Sequence, residues 1–152
     1  MFVQELIENQ AASIISSSLA FNGIPIAGNG VTGWQISTGI SNTIITFPSI
    51  RVVAGNYEPK YPEANAGYGD CALEIWSMAI KPNNQGIGIT AQTFESVSDM
   101  VFSPFLANNI VSTMTYNNLQ VLLVKEHGLE VASMDDGWIA TQKLLITCQR
   151  SS

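Results

Sequence analysis

Residues 28–33 read GNGVTG, a G-x-G-x-x-G spacing. Such glycines hold a dinucleotide's pyrophosphate when they leave a buried strand and open a helix, because the helix N-terminus then offers free N–H groups. That frame is missing here. GIPIA precedes Gly28 and carries Pro25, which suits a central strand poorly. WQISTGISN follows Gly33 with another glycine and no apolar stripe, and Val53 stands about where a ribose-binding acid belongs. His127, the only histidine, could act as a base beside a cysteine or serine. At a strand end next to Gly128 it reads instead as a bulge or turn residue. One histidine with two distant cysteines, Cys71 and Cys148, does not make a zinc site. Asp135 and Asp136 are adjacent before Gly137, at an expected hairpin tip where acids have conformational uses. Neighbouring strand residues face opposite ways, so this is no paired-carboxylate hydrolase site. The expectation is an absence of catalytic residues, cofactor and metal.

The elements that would carry these residues can be read from periodicity. Val3, Leu6, Ile7, Ala11, Ile14 and Ile15 recur at helical spacing and predict a helix over 3–20. Residues 22–46 hold five glycines and no charge, and read as a linker or arm with irregular strand-like pieces. SIRVVAG predicts a short strand after Pro48. A long loop is expected over 56–70, and CALEIWSMAI (71–80) is a strand apolar on both faces, hence central or covered. Thr90 is an expected N-cap for a helix over 91–102, which Pro104 ends. A short helical piece follows in NNIVSTMTY. Strands are expected at 119–126, 128–134 and 138–148, with Asp136–Gly137 marking a tight turn. Together these predict a single α+β domain, order α-β-β-α-β-β, with helices packed on one face of a mostly antiparallel sheet.

Composition narrows the function. The 152 residues suit one domain, and only 12% of them are charged. So uncharged a surface hints at contacts between subunits. The net charge is −6, and the six basic residues are scattered singly, so no basic stripe exists to neutralise phosphates. MFVQELIENQ has two acids and no basic residue, unlike a signal peptide, and no apolar run is long enough to span a membrane. The two cysteines sit in apolar runs and read as buried free thiols; a disulfide would need their strands to be neighbours. The 56–70 loop carries interface-forming tyrosines and charges, namely Tyr57, Glu58, Lys60, Tyr61, Glu63 and Tyr68. It is the first candidate contact surface, and the Asp135–Asp136–Gly137 tip is the second.

The segments FPSIRVVAG, GYGDCALEIWSMAIK and GLEVASMDDGWIATQKLLITCQ, taken with the flanking helices, resemble the tail terminator proteins of tailed bacteriophages. These are also called tail-completion or head–tail joining proteins. The resemblance covers about 46–149 and rests on patterns of apolar residues and turns; the 22–46 segment departs from it. It implies a homo-oligomeric ring, a hexamer, that caps the tail tube in the virion and ends its polymerisation. Its partners would be the tail tube protein and the head connector or head-completion protein. DNA would pass through without sequence-specific binding, with no membrane, cofactor or catalytic residue involved. Two rival readings are another neck, minor tail or capsid-decorating protein, and a small hydrolase using His127.

Overall fold

A computed structural model describes residues 2–39, 47–60, 68–83, 85–116 and 119–150. The chain is α+β, and its helices pack on one face of a five-stranded sheet. Helix α1 spans Val3–Phe21 and buries Val3, Ile7, Ala11, Ile15 and Leu19, one stripe at helical spacing. Strand β1 (Gln35–Thr38) follows, then β2 (Ser49–Pro59) and β3 (Tyr68–Ile80). Helix α2 runs Ala91–Phe102, and the Thr90 hydroxyl accepts from the Thr93 N–H at 3.3 Å, the cap its sequence position suggests. A 3-10 turn over Ser103–Leu106 takes up Pro104, and α3 (Ile110–Met114) is the short helical piece. Strands β4 (Leu119–Ser133) and β5 (Gly137–Arg150) close the chain.

The sheet order is β1-β2-β3-β5-β4, antiparallel except for the β1–β2 pair. The central position expected of 71–80 is that of β3. Its Cys71, Leu73, Ile75, Ser77 and Ala79 are buried towards the helices. Across from them, β5 turns Ala140, Gln142, Leu144, Ile146 and Cys148 inward, every second residue of the strand. The element order is α-β-β-β-α-α-β-β, one strand and one short helix more than the expected α-β-β-α-β-β.

Three expectations need correction. The first is the arm over 22–46. Residues Gln35–Thr38 pair in parallel with Ser49–Val52, and Trp34 is buried in the core. Before them, Gly28 and Val31 exchange backbone hydrogen bonds of 3.1 and 2.8 Å around Asn29 and Gly30. Both turn residues have positive φ (49° and 82°), the signature of the tight hairpin turn that Asn-Gly favours. The rest of that span, 40–46, lies outside the described residues. The second correction concerns 119–126 and 128–134, which form one strand; the register slips between Glu126 and Gly128, so His127 sits at a β-bulge. The third is the 56–70 loop, whose two ends are strand, since Tyr57, Glu58 and Pro59 pair with Cys71, Asp70 and Gly69.

Glu8 bonds the backbone of β2 just beyond its described pairing with β1. Among the described residues, the last β1–β2 contact is the Gly39 N–H to Val52 carbonyl bond at 2.8 Å. The next outward N–H on β2, that of Ala54, goes to the Glu8 carboxylate at 2.8 Å. A helix side chain thus satisfies a backbone donor of β2.

Candidate interface surfaces

The residues expected to form a contact loop sit at one end of the sheet. Tyr57 is half-buried against the core, and its ring lies over Gly69, where a Cβ would collide with it. Burial, reinforced by the neighbouring Cys148, Cys71 and Asp70, pushes the Tyr57 phenol above its ordinary value. Lys60 pairs with Asp70 at 2.7 Å, and Asp70 also accepts from the Thr147 hydroxyl at 2.7 Å. These hydrogen bonds and the Lys60 charge outweigh desolvation and hold the Asp70 carboxyl below its usual range. Glu58 is exposed and Tyr68 half-buried, while Tyr61 and Glu63 lie outside the described residues. Tyr57 is thus a packing residue as much as a contact residue, which loop reasoning missed. No alternation signals it, because the register slips between Ala54 and Tyr57.

The hairpin tip lies at the other end. Met134 donates to the Gly137 carbonyl at 2.9 Å, and Lys81 donates to the Asp136 carbonyl at 2.9 Å. Asp135 and Asp136 are exposed there. Register places Tyr68 opposite Gln149 and Ile80 opposite Gly137, so the two candidate surfaces are separated by the length of β3. At strand rise that is roughly 40 Å. They cannot form one patch.

Between the ends, the sheet face turned away from the helices carries Trp76, Met78, Ile139 and Leu145, all half-exposed. Arg51 and Val53 are buried on this same side, and the Arg51 Nε lies 3.4 Å from the Ser37 hydroxyl. Trp76, which its strand position suggested would be buried, is on this face and is only half-covered. On the helix side, β4 runs past the helices. Leu129 and Val131 there are 52% and 70% exposed. They line a groove of about 380 Å³ with Phe94, Phe102 and Trp138.

The residues that could do chemistry stay apart. His127 is exposed at its bulge. Cys71 and Cys148 are on neighbouring strands, offset by two residues, and both are buried free thiols. Burial is the main cause that pushes Cys71 up to about 12 and Cys148 up to about 11. The Gly28 and Val31 N–H groups of GNGVTG are spent on their own turn. Among the described residues no group of three or more His, Cys, Asp or Glu is placed to hold a metal ion, and no helix is long and apolar enough to cross a membrane.

The chain matches no protein-family model and no curated protein.

Proposed function

We propose that this chain is a structural subunit of the phage tail terminator class. It assembles into a ring, a hexamer, that caps the tail tube, ends its polymerisation and joins the tail to the head connector in the virion. The observation that carries this reading is the sheet face turned away from the helices, between two separated contact ends, where large apolar side chains stand beside Glu74, Thr141 and Lys143. A half-exposed surface bearing Trp76, Met78, Ile139 and Leu145 is the sort that neighbouring subunits cover. Contact ends roughly 40 Å apart suit a protein that must touch a tube on one side and a connector on the other. The scattered basic residues and the −6 charge suit a channel through which DNA slides without sticking. The reading assigns no catalytic residue and no cofactor.

The test is polymerisation of the cognate tail tube protein with and without this chain. Tubes should stop at a defined length when it is present and overgrow when it is absent. Tubes indifferent to it would leave the virion role to a neck, minor tail or capsid-decorating function, which shares the ring logic but does not bind tube ends. Turnover of a hydrolase substrate lost in His127→Ala would replace both readings.

A further inference from the structure

The edge formed by β4 carries a second message, independent of the ring reading. β4 is 15 residues long and, among the described residues, has no strand on its outer side, whereas the opposite edge strand, β1, has only four residues. A long edge strand with exposed apolar side chains is a template for pairing. Its sequence around the bulge is nearly self-complementary: Leu123-Val124-Lys125-Glu126 on one side of His127-Gly128, and Leu129-Glu130-Val131-Ala132 on the other.

Faces make this pattern usable. Val124, Glu126, Leu129 and Val131 pair with Ile146, Leu144, Gln142 and Ala140, the helix-facing residues of β5. Leu123, Lys125, Glu130 and Ala132 pair with Thr147, Leu145, Thr141 and Ile139, on the other face. Two copies laid antiparallel about a two-fold axis between His127 and Gly128 therefore match face for face. Val124 meets Val131 of the second copy, Leu123 meets Ala132, Lys125 meets Glu130, and next to the axis Glu126 meets Leu129. Each side-chain pair occurs twice, as a self-complementary contact requires. Glu130 already pairs with Lys143 of its own chain at 3.1 Å, so it would stand between two ammonium groups. At the axis, His127 would face Gly128, where no atom lies within 4 Å of the place a Cβ would occupy.

We propose that the β4 edge is a two-fold docking site for a second copy of this chain, joining two five-stranded sheets through an antiparallel β4–β4 ladder with reciprocal Lys125–Glu130 pairs. A ring needs a head-to-tail contact, so it would use other surfaces.

Sedimentation equilibrium of four proteins tests this, with circular dichroism as the check on folding. The wild type should dimerise below about 100 µM, while Lys125→Glu and Glu130→Lys each replace two attractions by two repulsions and should weaken the dimer roughly ten- to thirtyfold. The double variant, Lys125→Glu with Glu130→Lys, restores opposite charges across the axis but sets a lysine beside Lys143, so it should recover most, not all, of the association the singles lose. Net charge separates pairing from bulk repulsion. Lys125→Glu takes −6 to −8, but Glu130→Lys takes it to −4, which bulk repulsion alone would make tighter-binding. A monomeric wild type, a Glu130→Lys protein that associates more tightly, or a double variant no better than the singles would overturn the proposal. So would a hexamer alone whose mass is unchanged in Lys125→Glu; that result would leave the ring reading standing.

Discussion

At the scale of the residue, the inward face of β5 sets the core. Leu144 is buried between the helices and its strand neighbours, so Leu144→Ala should cost about 2–5 kcal/mol as a cavity mutation, read as a lowered denaturant midpoint. An unchanged midpoint would mean that this face is not the core. The two thiols give a second prediction. With values near 12 and 11 in place of the ordinary 9.0, both remain neutral in the folded chain at pH 8. A disulfide-exchange reagent should therefore label neither cysteine in the native protein and both after unfolding, because the thiolate is the nucleophile. The sign of the linkage follows. The unfolded thiols ionise from about pH 9 while the folded ones resist, so their contribution is intact below 9 and is lost as pH rises towards 11 and 12. Rapid native labelling at pH 8 would contradict the buried placement. Gln142 is harder to explain. It is fully buried, its amide donates to the Phe102 carbonyl and Glu126 at 3.1 Å each, and its Oε1 has no partner.

At the scale of the element, the structure shows which sequence signals are local and which are not. Helices α1 and α2 were legible because their apolar stripes, the Thr90 cap and Pro104 are all local in sequence. So was the alternation of β5 and its turn. Strand β1 was legible only as one of the irregular strand-like pieces of 22–46. QIST has no strong pattern of its own, and only pairing with Ser49–Val52 makes it a strand, a contact between residues distant in sequence. The Asn29–Gly30 turn was visible as an Asn-Gly pair but was hidden under the longer glycine spacing. The tyrosine segment was misread for the opposite reason, since its prolines and charges look like loop while its first residues continue β2. The same placement gives an outcome to check. Tyr57 covers Gly69 and packs against the core, so Tyr57→Ser should lower stability by roughly 1–3 kcal/mol, where an ordinary loop tyrosine would tolerate the change. A thermal midpoint equal to wild type would return Tyr57 to the set of free contact residues. As for the candidate surfaces, composition suggested that interfaces exist. Which faces stay open depends on how many helices cover the sheet, and no local pattern states that.

At the scale of the whole molecule, the proposed assembly role rests on a half-buried, mixed sheet face, two distant ends and an acidic chain with few charges. Tube-length control and the β4 edge contact are separate claims on separate surfaces, and each can fail alone. If the proposed function holds and each ring stops one end, adding the chain to polymerising tube protein should set tube length in proportion to the ratio of the two. The most direct measurement is electron microscopy of the purified protein, alone and with preformed tail tubes. The proposed function predicts rings of six subunits with an open centre, seated on tube ends and absent from tube walls. Isolated particles without rotational symmetry at concentrations that saturate the tubes, together with bare tube ends, would contradict it.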